Sequence, residues 1–212
     1  MLNKREQMRE ANTAKMLEAA LFEITTKGYN AAKLSDIANR AGVAYGLLSK
    51  RFGSKEDLYR AVFSVVVDRC VSHAPAEMSV EESLINIVDT VKHFAIVHDL
   101  GYIFLTITLN SKEIPSGNEE ILREGFFRSG LDKKFKEGMD EGIINIGDPF
   151  TVFYTFLKAT VNLTNCFNDS HAELPDNYNY IKLITPSSQV KINADSSQSD
   201  SLHTLTTEEL RS

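Results

Sequence analysis

Apolar residues near the N-terminus recur at the spacing of one face of an α-helix. They are Ala14, Leu17, Leu21 and Ile24. Steps of three and four positions follow the 3.6-residue repeat of a helix, not the alternation of a strand. Gly28 comes next, where a glycine in the left-handed αL conformation commonly ends a helix. The chain therefore begins with an amphipathic helix whose stripe must pack against further elements.

Two short helical segments follow and are joined by a glycine turn. Residues 34–41 have one apolar face and stop at Gly42, which can reverse the backbone at positive φ without steric cost. In the next segment Leu47, Leu48 and Phe52 share an apolar side. This arrangement is typical of a helix-turn-helix unit. A helical hairpin inside an all-α domain would show the same pattern, so DNA binding is one of two interpretations.

The remaining segments also predict helices. Ser54 is a suitable N-cap for a fourth helix, and Pro75 is expected to stop it. Glycine, proline, asparagine and aspartate then separate longer segments, and no strand-turn-strand alternation competes with them. The predicted body helices span 80–98, 100–112, 118–142 and 149–168.

Charge is divided unevenly along the chain. Residues 1–60 hold 11 Lys and Arg against seven Asp and Glu, a net charge of +4. Residues 61–212 have a net charge of −10, which brings the whole chain to −6. A positive head on an acidic body suits the binding of a phosphate polyanion. An ordinary solvated helical surface would give the same asymmetry.

Several functional classes receive no support from the residues. The chain has no P-loop, dinucleotide glycine fingerprint or nucleophile elbow, so we expect neither an enzyme nor a cofactor. Cys70 and Cys166 lie far apart, and His73, His93 and His98 lack acidic or thiolate partners, so no metal site is predicted. With no apolar run of about 18 residues and a polar N-terminus, a cytoplasmic protein is expected.

The run of residues 34–58, LSDIANRAGVAYGLLSKRFGSKEDL, resembles the DNA-binding domain of the TetR family of transcriptional regulators. Residues 19–22 and Gly28-Tyr29 match that family's first helix and its end. Residues 135–143 with Asp148-Pro149 are similar to its seventh helix and the start of its eighth. The resemblance implies an all-α, two-domain homodimer. Its N-terminal three-helix head carries a helix-turn-helix that binds operator DNA, and its larger helical body binds an effector and dimerises.

This resemblance gives three predicted regions. They are a helix-turn-helix DNA-binding domain at 10–55, a helical ligand-binding and dimerisation domain at 56–185, and a polar tail at 186–212 too poor in bulky apolar residues to be ordered. The implied function is a one-component repressor that binds palindromic operator DNA as a homodimer and is released by a small-molecule effector. The alternative is a helical small-molecule-binding or protein-interaction protein that has lost specific DNA recognition.

The predicted DNA contacts depart from the family pattern at several positions. Ser49 stands where the family usually has a tyrosine that contacts phosphate, and Arg51 where tyrosine or histidine is common. Ala32 and Lys33 replace the usual capping threonine. Lys50 has the chemistry to read guanine. The predicted set is Lys33, Ser35, Ala44, Tyr45, Gly46, Leu47, Ser49, Lys50, Arg51 and Lys55; surface packing for Tyr45 and plain solvation for Lys55 are the alternatives.

The body offers a dimerisation helix and a tentative effector set. Val152, Phe153, Phe156, Leu157, Val161 and Leu163 form an apolar face suited to a homodimer interface or, equally, to a monomer core. Only residues 178–184 resemble the family's ninth helix. Residues that combine apolar area with a polar handle are the effector candidates, although each could also be core or surface. They are Phe94, His98, Tyr102, Thr106, Phe127, Tyr154, Lys158 and Asn162.

Overall fold

A computed structural model describes residues 3–71, 77–170 and 176–186. Within those ranges the regular secondary structure is entirely α-helical, which confirms the predicted fold class. The helices are α1 (Lys4–Lys27), α2 (Leu34–Ala41), α3 (Tyr45–Phe52), α4 (Lys55–Cys70), α5 (Val80–Val97), α6 (Asp99–Asn110), α7 (Asn118–Arg128), α8 (Leu131–Asp140), α9 (Pro149–Ser170) and α10 (Asn177–Ile181). The predicted stop at Pro75 and residues 187–212 of the predicted tail lie outside the described residues.

Side-chain caps fix where several helices begin. Asn3 closes a capping box with Glu6 at the start of α1, and Ser79 closes one with Glu82 at the start of α5. The Ser54 hydroxyl accepts a hydrogen bond from the Asp57 amide at 3.0 Å. The predicted N-cap of α4 is therefore confirmed.

Two turn glycines behave differently from each other. Gly42 has φ 66° and ψ 32°, the αL conformation predicted for the turn between α2 and α3. Gly28 has φ 83° but ψ 156°, so α1 does not end in the predicted αL cap. A positive φ is still required there, which favours glycine because L side chains rarely adopt it.

The predicted single helix over 118–142 is wrong, because the structure has two helices there. Ser129 ends α7, and Gly130 begins α8 in the left-handed region, with φ 82° and ψ 3°. A residue in the left-handed conformation changes the direction of the backbone, and this interrupts the i to i−4 hydrogen bonds of the helix. The Ser129 hydroxyl compensates by donating to the Phe126 carbonyl at 2.9 Å.

The body is built around a cluster of phenylalanine rings. Phe126 of α7 stacks on Phe153 of α9 with ring centroids 4.7 Å apart. Phe135 and Phe150 pack edge-on against Phe126 at 5.7 and 5.8 Å. All four side chains are at most 3% exposed. This cluster joins α7, α8 and α9 into one apolar core.

The apolar face of α9 is buried inside its own subunit. The prediction that this face forms a homodimer interface is therefore wrong for its central residues. The fully buried residues are Phe153, Phe156, Leu157 and Val161, while Val152 and Leu163 are half-buried. Since α9 packs on α5, α6, α8 and α10 of the same chain, these residues belong to the monomer core.

Helix α10 is short and docked on its own subunit. Its Asn177 accepts a hydrogen bond from Lys92 at 2.7 Å and donates to Asp89 at 2.8 Å, both on α5. Tyr180 is fully buried, and its hydroxyl lies 3.4 Å from the Thr164 hydroxyl of α9. The short helix expected within 178–184 is therefore present at Asn177–Ile181, where it covers α5 and α9.

Helix α4 connects the N-terminal helices to the body. The Tyr59 hydroxyl lies 2.6 Å from the Thr108 hydroxyl of α6, and burial raises the pKa of Tyr59 to about 12. Arg60 donates to the Ser116 carbonyl at 3.1 Å, and Asn30 donates to Glu113 at 3.3 Å. These bonds hold α4 and the loop between α1 and α2 against α6 and the loop that follows it. The predicted domain boundary at 55/56 falls at the first residues of α4.

Candidate nucleic-acid interface

Helices α2 and α3 form the predicted helix-turn-helix. Their crossing is supported by Ile37, Ala38 and Leu48, which are at most 1% exposed. The Val43 amide donates to the Ala38 carbonyl at 3.0 Å across the Gly42 turn. Because alanine occupies the crossing point, α3 can approach α2 closely and present its other side to solvent.

Both helices begin without a side-chain cap. Lys33 and Ala44 occupy the N-cap positions of α2 and α3, and neither side chain makes a capping hydrogen bond. Backbone amides of a first turn that lack such partners are suited to phosphate oxygens. That Lys33 supplies a charge where a capping threonine would otherwise stand stays a prediction.

Most of the predicted DNA-binding residues lie on the surface of the head. Lys33, Ser35, Ala44, Tyr45, Gly46, Leu47, Lys50 and Arg51 are exposed, whereas Ser49 and Lys55 are half-buried. Leu47 is 43% exposed, so its assignment to the apolar side of α3 is wrong; Leu48, at 1%, carries that role with help from half-buried Phe52. The hundred-degree step between residues turns Leu47 and Leu48 to different sides.

Residues of α1 complete this surface and were missed by the sequence interpretation. Leu47, Lys50 and Arg51 line a cleft of about 400 Å³ together with residues of α1. The α1 residues in the cleft are Arg9, Asn12, Thr13 and Met16. The excess of basic residues before position 10 was the available signal, but sequence separation hid the pairing of α1 with α3.

Two cations of the surface are held by short contacts. The Arg51 guanidinium donates to the Thr13 hydroxyl at 3.2 Å. Lys55 donates to the Asn30 carbonyl at 3.2 Å and lies 4.4 Å from the centre of the Tyr29 ring. Burial lowers the pKa of Lys55. Arg51 is thus oriented by α1, while Lys55 is anchored to the loop between α1 and α2; phosphate contact by Lys55 stays a prediction.

We expect Arg9→Gln to weaken DNA binding equally on every sequence and to reduce the salt dependence of binding. Each phosphate neutralised by a cation contributes about 0.9 to the slope of log K against log salt, so the magnitude of the slope should fall by about one. Fluorescence anisotropy with one duplex at several salt concentrations measures it. Lys133→Gln, an exposed change of the same charge on α8, is the control, and an unchanged slope for Arg9→Gln would remove Arg9 from the interface.

A buried carboxylate fixes α1 against α2. Glu23 is 3% exposed and forms ion pairs with Lys27 at 2.6 Å and Arg40 at 2.7 Å. Lys27 also reaches Asp36 of α2 at 3.1 Å, and the Arg40 guanidinium lies 3.6 Å from the centre of the Phe22 ring. Hydrogen bonds from Lys27 and then from Arg40 lower the pKa of Glu23. Arg40 is therefore a positioning group for the helix-turn-helix.

The Glu23 cluster predicts a pH dependence of stability. Because the pKa of Glu23 in the folded chain lies below its ordinary value of 4.5, its stabilisation is fully present above that value and is lost as the pH falls through the folded pKa. The difference in free energy of unfolding between the wild type and Glu23→Gln should therefore shrink from pH 6 to pH 3. Urea denaturation at each pH measures it, and a constant difference would contradict the role of the ionised carboxylate.

The effector candidates do not converge on one cavity in the described part of the chain. Phe94 and His98 line a groove of about 570 Å³ between α1, α4 and the corner where α5 meets α6. Tyr102 is buried with its hydroxyl 2.5 Å from the Val161 carbonyl, and Asn162 bonds with Asn110 across α6 and α9. Phe127 is 55% exposed. Thr106, Tyr154 and Lys158 are half-buried and do not line the groove.

The groove is mainly apolar with a few charged residues at its margin. Its aliphatic and aromatic lining comprises Leu17, Leu21, Val62, Val65, Val66, Phe94 and Val97. Glu18, Arg69 and Asp99 are its charged residues. Since α1 belongs to the head and α5 and α6 to the body, a molecule in this groove would contact both. Among the described helices, none combines the length and the apolarity that crossing a bilayer requires.

Comparisons with known proteins agree with this geometry. Residues 16–62 match the family described as bacterial regulatory proteins, tetR family. The HTH-type transcriptional activator FasR of Mycolicibacterium smegmatis is 41% identical over 64 residues, which cover 30% of this chain and only 29% of FasR. The fatty acid metabolism regulator protein of Bacillus subtilis is 26% identical over 140 residues, covering 59% of this chain and 71% of that protein.

The fold extends the similarity beyond the head. A TetR family transcription regulator from Marinobacter aquaeolei VT8 superposes with a TM-score of 0.67 at 21% identity, covering 84% of this chain and 93% of that chain. At this identity the likeness concerns the fold alone. The matched segment contains α2, α3 and the C-terminal half of α1, whereas Arg9, Asn12 and Thr13 of the cleft lie before it. The match to the tetR family of bacterial regulatory proteins therefore covers the helix-turn-helix of this chain, residues 16–62.

Proposed function

We propose that this chain is a one-component transcriptional repressor that binds palindromic operator DNA as a homodimer and is released by a small-molecule effector. The observation that carries the proposal is the exposed side of α3. There Lys50 and Arg51 lie beside Arg9 of α1, and no acidic side chain of the described residues pairs with any of the three. Uncompensated cations on an otherwise acidic protein favour a polyanionic partner.

The surface separates contacts that position the duplex from contacts that read bases. Phosphate contacts are assigned to Lys33, Arg51 and Arg9 together with the amides at the start of α2 and α3, because charge and exposed amides carry no sequence information. Lys50 is assigned to base reading because an ammonium group can donate to guanine O6 and N7. In this assignment α3 lies in the major groove.

Homodimerisation is proposed through the outward side of α9. Its apolar face is occupied within the subunit, so a second copy would meet the exposed or half-buried residues of the other side. These include Thr155, Lys158, Ala159, Asn162 and Cys166. Two heads in such a dimer need a separation of about 34 to 36 Å to reach successive major grooves.

The groove lined by Phe94 and His98 is the proposed effector site. Its volume of about 570 Å³ lies in the range of small-molecule sites, and its apolar lining favours a ligand with a hydrocarbon portion. One relative is named a fatty acid metabolism regulator, so long-chain acyl compounds are the first class to test. A ligand that fits only one arrangement of head and body would shift the equilibrium between them.

Selection of genomic fragments by the purified protein tests this function. We expect enrichment of a palindromic motif. We also expect an acyl compound that binds the groove to release the protein from DNA that carries this motif. Val65→Trp, which enlarges an exposed residue of the groove, should abolish release without weakening operator binding. Absence of any enriched motif would contradict the regulator proposal, and release of the Val65→Trp variant by the same compound would contradict the assigned effector site.

A further inference from the structure

An aliphatic side chain is exposed beside the cations Arg9, Lys50 and Arg51. Leu47 is 43% exposed, although it lies in the first turn of α3 next to fully buried Leu48. It lines the cleft between α1 and α3 together with Lys50 and Arg51. Every other leucine, isoleucine and valine of residues 10–55 is buried or half-buried, so Leu47 is the exposed branched aliphatic side chain of this part of the head.

The helix geometry places this leucine among groups that face DNA. Residues three and four positions apart lie on the same side of a helix, so Leu47 shares its face with Lys50 and Arg51. The first turn of the second helix of a helix-turn-helix is the part that reaches base edges. Leu47 therefore occupies a base-reading position on a face whose neighbours carry positive charge.

The chemistry of leucine limits what it can recognise there. Its side chain has no donor or acceptor, so it contributes nothing to phosphate binding or to the hydrogen-bond pattern of a base. Among the four bases, thymine alone presents a methyl group, at C5, in the major groove. We propose that Leu47 is a specificity-determining residue that reads the C5-methyl group of a thymine in each operator half-site.

This inference rests on the proposed function, because it assigns one base contact of the same surface. A packing role is the competing account of Leu47, since Met16 of α1, which is 1% exposed, lines the same cleft. Packing loss would weaken binding to all DNA alike, whereas methyl recognition depends on a single chemical group of the duplex. The two accounts therefore predict different results when that group is removed.

The test replaces thymines of the selected operator by deoxyuridine, one symmetric pair at a time. Deoxyuridine keeps the base pairing and removes only the methyl group. Burial of one methyl group corresponds to about a fourfold change in affinity. At one symmetric pair of positions we expect the wild type to bind the deoxyuridine operator about 15-fold more weakly than the thymine operator, because both half-sites lose a methyl contact. At that position Leu47→Ala should bind the thymine and deoxyuridine operators within about twofold of each other.

The control and the contrary outcomes separate this inference from the function on which it rests. Ile96→Ala removes a 73% exposed aliphatic side chain from α5 and should keep the full deoxyuridine effect. If the wild type binds the selected palindrome but no thymine position responds, or if Leu47→Ala keeps the full response, the role of Leu47 is overturned while the regulator function stands. If no palindrome is selected, the proposed function itself fails.

Discussion

Phe126→Ala is expected to lower the free energy of unfolding by about 3 to 5 kcal/mol. Phe126 is 1% exposed and touches the rings of Phe135, Phe150 and Phe153. Its removal leaves a cavity among three rings that come from α8 and α9, and those rings cannot move together without disturbing both helices. Urea denaturation followed by circular dichroism measures the change.

The adjacent residue provides a matched control. Phe127 is 55% exposed on the same helix, so Phe127→Ala should change the free energy of unfolding by less than about 0.5 kcal/mol. The two variants remove the same atoms from neighbouring positions and differ only in burial. Equal losses for both would show that the aromatic cluster is not the core of the body.

Lys50→Ala is expected to change which operator the protein prefers. Loss of a good base contact costs about 1 to 3 kcal/mol of discrimination, so affinity for the selected operator should fall by about 5- to 150-fold while affinity for scrambled DNA falls much less. Lys50 is exposed and has no ion pair among the described residues, so its removal leaves no buried charge behind.

Lys136→Ala is the charge-matched control for Lys50→Ala. It removes an exposed lysine from α8 and should leave operator preference unchanged. Lys55→Ala makes a second comparison, because a phosphate contact predicts equal weakening on every sequence. An equal loss on every operator for Lys50→Ala would place that residue with the phosphate contacts and not with the base readers.

The helix-turn-helix was predictable because its determinants are local. Gly42 must adopt the αL conformation, Ala38 must be small at the crossing, and Ser54 must cap the next helix; each requirement acts within a few residues. The same holds for the start of α9, where the Asp148 carboxylate accepts from the Thr151 amide at 2.8 Å. Local chemistry of this kind can be read from a single sequence.

The break inside the predicted helix 118–142 shows where such interpretation stops. Gly125, Gly130 and Gly138 look alike in the sequence but have different roles. Gly130 turns the chain at positive φ, whereas a Cβ added at Gly125 would lie 2.7 Å from Val67 and one at Gly138 would lie 2.6 Å from Val80. The last two are glycines because helices pack closely, a requirement that comes from distant residues.

Which residues form the candidate DNA-binding and effector sites also depends on contacts between helices that are distant in the sequence. Periodicity predicts which side of a helix is apolar, but not whether that side faces its own chain or another copy, as α9 shows. Periodicity also does not indicate that Arg9 of α1 lies near Lys50 of α3. The eight effector candidates have the expected chemistry, yet only Phe94 and His98 line a common groove in the described part of the chain.

The most direct test of the account is the equilibrium dissociation constant for the selected palindrome and for a scrambled duplex of equal length, both at physiological salt. We expect the palindrome to bind at least about 1,000-fold more tightly than the scrambled duplex, and we expect its affinity to fall steeply as the salt concentration is raised. Equal affinities for the two duplexes at every salt concentration would contradict it, because the exposed face of α3 would then provide only charge and no reading of sequence.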